Sequence, residues 1–339
     1  MSLLPYIERI MAHEGLSASE AEAAMGVILN GEASVPQLAS FLTALRMKGE
    51  TVDELAGFAR AMRAKAAPVN VGLKGTLLDT CGTGGDRSDT FNISTIAAFV
   101  VAGAGVHVAK HGNRSISSKC GSADLLEGLG IRLEVTPDQS ARAIREVGIG
   151  FLFAPAVHAA MKHAHPVRTD LKMRTAFNLL GPLTNPAGAN AQLAGAPSEH
   201  AAELIAGALA ALGLQHGFVV HGSDGLDEIT TTGETAAFEI REGRIEKRTL
   251  EPGDFGVPVA RVEDLKGGDR ERNLEIARAV LCGARGPQRD IVLANAAAAL
   301  VAAGKAEVFL EGSAIAAVSI DTGAARAKVE ELARFTQGC

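Results

Sequence analysis

Between residues 79 and 122 the chain twice follows a short apolar run with a stretch rich in glycine, serine and threonine. The first stretch is D-T-C-G-T-G-G-D, from Asp79 to Asp86, and the second is K-H-G-N-R-S-I-S-S-K-C-G-S, from Lys110 to Ser122. A helical pattern over about 94–104 separates the two. A strand, a glycine loop and a helix in this order restrict the chain to an α/β fold built on a largely parallel sheet.

The two stretches have the composition of an anion-binding cradle. Glycines let backbone N–H groups approach a phosphate closely, hydroxyl groups donate further hydrogen bonds, and Lys110, Arg114 and Lys119 balance the charge. Two common phosphate motifs do not match: Arg87 stands where G-x-G-x-x-G requires its third glycine, and no Gly-Lys-Ser/Thr follows as in a Walker A loop. The pattern therefore favours a phosphorylated sugar or nucleotide ligand.

Length and composition limit the classes of protein to which the chain can belong. The 339 residues predict two domains at roughly 150 residues each, and the net charge of −6 argues against nucleic acid as a partner. The four cysteines show neither zinc-ligand nor disulfide spacing, which indicates a reducing cytoplasm. The best apolar run, residues 96–106, is shorter than the roughly 18 residues that span a bilayer, so we expect no membrane association.

The chain changes character near residue 70. Residues 1–68 predict four short helices, with capping-box spacings at Ser17–Glu20 and Thr51–Glu54 and a further N-cap at Ser34. From residue 75 strands alternate with helices, and residues 236–249 predict a hairpin, which makes the sheet mixed. The tail from about residue 271 is alanine-rich and helical.

Adjacent acids follow a later strand. Asp227 and Glu228, within H-G-S-D-G-L-D-E-I-T-T-T-G, suit Mg²⁺, which takes one or two carboxylates together with phosphate oxygens. Surface acids of no further role remain the alternative. Asn92 and Ser94 are open to two interpretations as well, either ordinary helix caps or ligands of a sugar hydroxyl and of a metal or diphosphate.

Residues 151–186 hold candidates for binding a carboxylate. The guanidinium groups of Arg168 and Arg174 can bind one bidentately and His158 can hydrogen-bond a second polar group, although Arg168 equally fits a helix surface. The spacing of His158, His163 and His165 does not place all three on one helical face, which argues against a metal site.

These stretches closely resemble the anthranilate phosphoribosyltransferase family of tryptophan biosynthesis. The matching motifs are G-T-G-G-D at 82–86, N-I-S-T at 92–95, K-H-G-N-R-S-I-S-S at 110–118, F-A-P-A-V-H-A-A-M-K at 153–162, P-V-R at 166–168, R-T-A-F-N-L-L-G-P-L-T-N-P at 174–186 and G-L-D-E at 225–228. The resemblance spans the chain and departs from the family pattern at Lys172, where glycine is common.

The resemblance implies a nucleoside phosphorylase-like fold, as in type III phosphoribosyltransferases. A small all-α domain, residues 1–68 joined by about 160–185, would precede a large α/β domain, residues 75–339, around a mixed, mostly parallel sheet. The enzyme would act as a homodimer, joined through the helical domain, on two small substrates, anthranilate and phosphoribosyl diphosphate, with Mg²⁺ as cofactor.

The resemblance also implies which residues of this chain bind the substrates and the metal. Phosphoribosyl diphosphate would be surrounded by Gly82, Gly85, Asp86, Thr90, Asn92, Ile93, Ser94, Thr95, Lys110, His111, Gly112, Asn113, Arg114, Ser115, Ile116, Ser117, Ser118 and Ser122. Anthranilate would face Gly82, Asn113, His158 and Arg168, and Mg²⁺ would be held by Ser94, Asp227 and Glu228. The reaction needs no dedicated general base, because the amine of anthranilate is largely unprotonated at neutral pH.

Two rival functions remain open at this point. A pyrimidine nucleoside phosphorylase-like enzyme would use inorganic phosphate without a metal on the acidic pair, and a non-catalytic nucleic-acid-binding paralogue would gain basic surface. The sequence Asp227-Glu228 argues against the first and the net charge against the second.

Overall fold

The chain begins with four helices, as the capping patterns predict. The computed structural model describes residues 2–86, 88–114 and 119–339. Helices α1 (Leu4–Met11), α2 (Ala18–Leu29), α3 (Val35–Lys48) and α4 (Val52–Lys65) come first. The capping boxes at Ser17–Glu20 and Thr51–Glu54 form, and the Ser34 hydroxyl caps α3. These local signals are confirmed because each uses only atoms within three residues of the helix start.

One seven-stranded sheet organises the rest of the chain. Its strands are β1 (Leu77–Asp79), β2 (His107–Gly112), β3 (Ile149–Phe153), β4 (Ala191–Gly195), β5 (His216–Gly222), β6 (Thr235–Arg241) and β7 (Arg244–Leu250). The spatial order is β3-β2-β1-β4-β5-β6-β7, with the first five strands parallel and the last two antiparallel. The predicted mixed, mostly parallel sheet is confirmed.

The hairpin turns where the sequence predicts. Glu242 and Gly243 both have positive φ, 51° and 78°, which is the pattern of a two-residue turn whose twist matches its strands. Strand β4 is one of the elements that the sequence does not predict. All five of its residues are buried, so it lacks the alternation that marks a half-exposed strand.

Among the described residues, ten further helices cover the sheet. They are α5 (Ile93–Gly103), α6 (Ser122–Gly128), α7 (Pro137–Glu146), α8 (Ala154–Val157), α9 (His165–Leu171), α10 (Glu199–Ala211), α11 (Arg270–Leu281), α12 (Pro287–Ala302), α13 (Phe309–Asp321) and α14 (Ala324–Gln337). Within the described ranges, none of the helices has both the length and the hydropathy that a membrane span requires.

Alternate residues of the central strands enter different cores. Leu78, Leu193 and Phe218 pack with α5 and α12 on one face of the sheet, whereas Ala194 and Val219 pack with α10 on the other. Both faces of the parallel part are therefore covered, as in other α/β folds.

The N-terminal helices and the segment 164–180 share one apolar cluster. Ala164, Val167, Phe177 and Leu180 pack with buried side chains of α1–α4, and α10 continues this cluster to the sheet. This packing supports the division into residues 1–68 with about 160–185 and residues 75–339, which stays a prediction. Lys172 ends α9 with a left-handed backbone, at φ 49°.

Candidate active site

The site lies where the order of the parallel strands reverses. The chain leaves β1 toward β2 on one side, while β4 and β5 lie on the other, and the loops after these strands meet at their carboxyl ends. The N–H of Thr83, after β1, donates to the carbonyl of Gly195 at the end of β4, at 3.0 Å. Such switch points form the ligand crevice of open α/β sheets.

The first glycine loop runs from β1 to α5. Gly84 and Gly85 have φ of 64° and 79°, a left-handed backbone that favours glycine. The N–H of Gly84 donates to Asp227 Oδ2 at 2.7 Å, which joins this loop to the acidic pair. Thr90, farther along, forms an isolated bridge with Lys266. The structure therefore brings Gly82, Gly85, Asp86 and Thr90 to one loop beside the acids.

The acidic pair lies against the start of α5. The N–H of Ser94 donates to Glu228 Oε1 at 3.2 Å. Burial, followed by the charges of Asp86 and Glu228, raises the pKa of Asp227 well above its ordinary value. Burial also raises the pKa of Glu228 to about 7. Three carboxyl groups so close together repel one another, and a cation would relieve that repulsion.

Oxygen donors and charge at this point fit Mg²⁺. The carboxylate of Glu228 contacts both the N–H and the side chain of Ser94, and Asp227 precedes Glu228 directly. Hard oxygen ligands with room for phosphate oxygens are what Mg²⁺ prefers. The Nζ of Lys110 lies 3.5 Å from Ser94 Oγ. These residues are those that the sequence assigns to the metal, and the structure places them together.

Lys110 lies beneath the cradle. Its side chain is 3% exposed, and Nζ donates to the carbonyl of Thr80 at 3.0 Å and to Thr80 Oγ1 at 3.2 Å. Burial lowers the pKa of this ammonium group, while Asp79 acts in the opposite direction. We expect Lys110 to act on a ligand as a fixed nearby charge, with its donors already directed at Thr80 and Ser94.

Asp79, the first residue of the predicted cradle, has a structural position. It is fully buried, and its carboxylate accepts hydrogen bonds from the N–H of His111 at 3.1 Å and from Asn185 Nδ2 at 2.8 Å. Burial raises its pKa to about 6. Asp79 therefore holds β2 against the 181–186 segment. Cys81 and Cys120 are buried and unoxidised, as packed small residues are.

Three features of the surrounding structure hold the acidic pair. Asn295 of α12 hydrogen-bonds both the N–H and the carbonyl of Ile229. Asp224 accepts hydrogen bonds from the hydroxyls of Thr230 and Thr232, at 2.6 Å each. At Gly195 a Cβ would lie 1.5 Å from the carbonyl oxygen of Asp227, so only glycine fits there. Sequence reasoning missed Asn295 and Gly195, since only long-range contacts reveal them.

The second glycine-rich stretch begins at the end of β2. At Gly112 a Cβ would lie 2.6 Å from Ser122 Oγ and 2.7 Å from the Phe151 ring. The carbonyl of Asn113 accepts a hydrogen bond from Ser122 Oγ at 3.0 Å. These contacts bring Gly112, Asn113 and Ser122 together. Four further predicted ligands, Ser115, Ile116, Ser117 and Ser118, lie outside the described residues.

Arg114 is engaged by carboxylates of α6. Its guanidinium lies 2.9 Å from Asp124 and 2.7 Å from Glu127, and it stacks over the Phe153 ring at 5.8 Å. A ligand phosphate would have to compete with these acids for the arginine.

Asn92 connects the two glycine-rich stretches. Its Nδ2 donates to the carbonyl of Cys120 at 3.0 Å, and its Oδ1 accepts from Asn273 Nδ2 of α11 at 3.1 Å. It makes no capping bond to α5, which excludes the N-cap interpretation for this side chain. Ile93 and Thr95 are each 1% exposed, so only their backbone groups reach a ligand.

His158 and His111 form a second, more enclosed part of the site. Their ring centroids lie 5.1 Å apart, and the buried Nε2 atom of each has no hydrogen-bond partner among the described residues. Burial lowers the pKa of His158 to about 4 and that of His111, also affected by His158, to about 3. Both rings are therefore neutral near pH 7, and His111 lies beside His158.

Arg168, on α9, completes this part. Its guanidinium stacks over the Phe177 ring at 5.1 Å, and burial lowers its pKa. Within the described ranges no carboxylate pairs with it. A half-buried arginine without a counter-ion is suited to an incoming carboxylate.

Comparisons with known proteins agree with this geometry. Residues 4–66 match the glycosyl transferase family, helical bundle domain, and residues 74–326 match the glycosyl transferase family, a/b domain. An anthranilate phosphoribosyltransferase of Solibacter usitatus (strain Ellin6076) is 74% identical over 336 residues, covering 99% of each chain. One of Moorella thermoacetica is 54% identical over 331 residues, covering 98% of this chain and 97% of the relative.

Solved structures resemble the whole chain as well. The anthranilate phosphoribosyltransferase of Thermus thermophilus is 44% identical with a TM-score of 0.93, and the match covers 98% of this chain and 99% of that one. The Saccharomyces cerevisiae enzyme in complex with PRPP and Mg is 29% identical with a TM-score of 0.91, over 99% and 98% of the two chains.

Proposed function

The chain belongs to the anthranilate phosphoribosyltransferase family, and on that premise we propose how its residues share the reaction of the family. The reaction transfers the phosphoribosyl group from 5-phosphoribosyl 1-diphosphate to the amino group of anthranilate. Its products are N-(5-phosphoribosyl)anthranilate and diphosphate. The chain is thus a Mg²⁺-dependent pentosyltransferase of tryptophan biosynthesis.

One observation carries the assignment of the substrates. Gly84 and Asp227 are 143 residues apart in sequence, and a 2.7 Å hydrogen bond joins them. This contact supports placing the glycine loop and the magnesium-binding acids around one ligand that needs both, a sugar diphosphate.

The diphosphate end of phosphoribosyl diphosphate lies between the glycine loops. Backbone N–H groups of the first loop and the start of α5 donate to it, as at other helix N-termini that bind phosphate. Asn92 would contact a sugar hydroxyl, as the resemblance implies, in addition to the bonds that its amide already makes to Cys120 and Asn273. Ser94, Asp227 and Glu228 hold Mg²⁺, which when bound stabilises negative charge on the leaving diphosphate. The remaining proposed contacts are those that the resemblance implies.

Anthranilate lies in the enclosed part of the site. Arg168 binds its carboxylate, Asn113 and His158 contact its polar groups, and Gly82 lies at the junction with the sugar. A Cβ at Gly82 would be 3.0 Å from Asp227 Oδ2, so a side chain there would crowd the acids that hold the metal.

The chemistry needs positioning more than proton removal. The bond from ribosyl C1 to diphosphate loosens first, and the amine of anthranilate then attacks a carbon with oxocarbenium character. Neutral His158 can accept a hydrogen bond from the amine, which orients the nitrogen lone pair. The carboxylate of anthranilate itself accepts the departing proton, and a fully active methyl ester of anthranilate would refute that step.

We further propose that the enzyme is a cytoplasmic homodimer joined through its helices. Leu4 and Met11 of α1 and Val35 and Met47 of α3 are exposed apolar side chains on this part of the chain, and their burial would favour association. A dimer mass in sedimentation equilibrium, reduced to the monomer mass by Met47→Asp with Val35→Asp, tests the interface. A dimer that both changes leave intact would place the interface elsewhere.

The activity assay follows the loss of anthranilate fluorescence with phosphoribosyl diphosphate and Mg²⁺. We expect turnover that requires all three components and stops when the metal is chelated. Cleavage of a pyrimidine nucleoside with inorganic phosphate, or binding of nucleic acid without any turnover, would instead favour one of the two rival functions. The comparisons give neither rival support.

A further inference from the structure

Arg174 contacts the backbone of the first glycine loop. Its Nη1 donates to the carbonyl of Gly85 at 2.8 Å, and its Nη2 donates to the carbonyl of Gly84 at 3.2 Å. The arginine therefore hydrogen-bonds two successive peptide groups of the proposed diphosphate cradle.

The loop is shaped around this guanidinium. A Cβ at Gly85 would lie 2.5 Å from Arg174 Nη1, and its φ of 79° is itself unfavourable for other residues. Gly84 is held from both ends, because its N–H donates to Asp227 while its carbonyl accepts from Arg174. At Gly85 the close approach and the positive φ both favour glycine, whereas at Gly84 the positive φ alone does.

These two hydrogen bonds from Arg174 fix the direction of two N–H groups. In a trans peptide the C=O and N–H bonds point in opposite directions. Since the carbonyls of Gly84 and Gly85 point at Arg174, the N–H groups of Gly85 and Asp86 point away from it. Neither N–H donates a hydrogen bond to a backbone or side-chain group in the described part of the chain, so both can donate to an anion.

The backbone of Arg174 is anchored in the helical cluster. Next to it, Thr175 donates its N–H to Asn178 Oδ1 at 2.9 Å, and the side chains of Ala176 and Phe177 are buried there. The ring of Phe177 in turn carries the guanidinium of Arg168. The residues proposed for anthranilate and for diphosphate are thus joined by a short covalent segment.

We propose that Arg174 is a positioning residue, which aims the N–H groups of Gly85 and Asp86 at diphosphate and couples diphosphate binding to anthranilate binding. This inference rests on the proposed function. It differs from the sequence-based interpretation of Arg174 as a ligand of a carboxylate, because its donors are directed at backbone carbonyls.

The test is calorimetry with magnesium diphosphate, in the absence and presence of anthranilate. These two ligands cannot react with each other, so affinities are measured without turnover. We expect wild type to bind diphosphate more tightly when anthranilate is present. Arg174→Ala should weaken diphosphate binding about tenfold or more and abolish the effect of anthranilate, because two hydrogen bonds from a charged group are lost. Arg174→Lys should restore part of both, since an ammonium can still reach one carbonyl.

Arg63→Ala is the matched control. Arg63 also donates to a backbone carbonyl, that of Leu183, at 2.7 Å, yet it does not contact the glycine loop. It should lower the melting temperature without changing either affinity.

Three outcomes would overturn the inference. Unchanged diphosphate affinity in Arg174→Ala would show that the hydrogen bonds of Arg174 to the glycine loop do not contribute to diphosphate binding. Affinity losses equal to those of Arg63→Ala would show only general destabilisation. Weakened diphosphate binding with the anthranilate effect intact would identify Arg174 as a direct phosphate ligand. A wild-type chain that fails to bind magnesium diphosphate would instead count against the proposed function.

Discussion

The side chain of Asn295 hydrogen-bonds both the N–H and the carbonyl of Ile229. Its Oδ1 accepts from the N–H of Ile229 at 3.0 Å, and its Nδ2 donates to the carbonyl of Ile229 at 2.9 Å and to that of Ile291 at 2.9 Å. Asn295 is fully buried in α12, among alanines and other apolar residues. Because Ile229 follows Glu228 directly, this buried amide fixes the backbone that carries the proposed magnesium ligands.

Asn295→Leu should weaken the apparent affinity for Mg²⁺ about tenfold or more. The change keeps the branched shape of the side chain but leaves the polar groups of Ile229 without partners, at about 1–3 kcal/mol each, so the loop moves to rehydrate them. The measurement is the Mg²⁺ dependence of the rate at saturating substrates. Ser319→Ala, which removes a buried bond of 2.7 Å to the carbonyl of Val100, is the control. The same Mg²⁺ dependence in both variants would show that Asn295 is only structural.

Arg168→Ala should raise the Michaelis constant for anthranilate far more than that for phosphoribosyl diphosphate. A charge-assisted contact contributes roughly 1.5–3 kcal/mol, or about ten- to a hundredfold in binding. Arg168→Lys should rescue only part, because the charge survives and the fork geometry does not. Steady-state kinetics with each substrate varied checks this. A rise confined to the constant for the sugar diphosphate would assign Arg168 to the phosphate site.

The contribution of His158 to the free energy of unfolding should fall as the pH drops below the ordinary histidine pKa of about 6.5. The pKa of His158 is about 4 in the fold, so between these values the unfolded chain binds more protons than the native one. Its contribution is present above pH 6.5 and is lost as pH falls toward 4. His158→Asn should reduce the slope of the unfolding free energy against pH by roughly 1.4 kcal/mol per pH unit, which corresponds to about one proton fewer taken up on unfolding.

Urea denaturation at about pH 5 and pH 7 measures this slope, and the difference between variants isolates His158 from other groups. The raised pKa of Asp79, about 6, acts in the opposite direction, because that carboxyl favours its protonated form in the fold. His165→Asn, at an exposed histidine of α9, is the control. An unchanged slope in His158→Asn would show that this histidine is not kept neutral by the fold.

Lys172→Gly should raise the melting temperature by a few degrees. The left-handed φ of 49° costs a non-glycine residue about 1–2 kcal/mol, part of which is offset by the greater freedom of glycine in the unfolded chain. Asp170→Gly, within α9, is the matched control and should lower stability by roughly 0.3 kcal/mol, the difference between the helix propensities of aspartate and glycine. Equal effects of the two changes in a thermal melt would contradict the strain at Lys172.

Local patterns predicted much of this fold because their partners are close in sequence. The capping boxes of α2 and α4 and the turn at Glu242–Gly243 each depend on a few neighbouring residues. Strand β4 escaped prediction, since its five residues are all buried and therefore show no alternation of buried and exposed positions. The glycine loops and the acidic pair were recognisable by composition, whereas their meeting at one point depends on strand order.

The residues that support the site could not be predicted. Asn295 and Asn273 lie in a helical tail without catalytic-looking clusters, and they act through backbone or side chains far away in sequence. Arg174 is of a residue type that often binds anionic ligands, but its guanidinium contacts the backbone carbonyls of the first glycine loop. Lys110 and Asp79 have the sequence context of cradle residues, and only their burial shows that they lie beneath it. Such roles depend on long-range packing, which one sequence does not display.

The most direct measurement is calorimetry of phosphoribosyl diphosphate binding with Mg²⁺ and with the metal chelated. It compares wild type with the double variant Asp227→Asn and Glu228→Gln. We predict that Mg²⁺ tightens binding to wild type by at least about tenfold and that the double variant loses this effect and its turnover while keeping a normal melting transition. A double variant that retains near-normal, Mg²⁺-dependent binding and activity would contradict the assignment of the acidic pair to the metal.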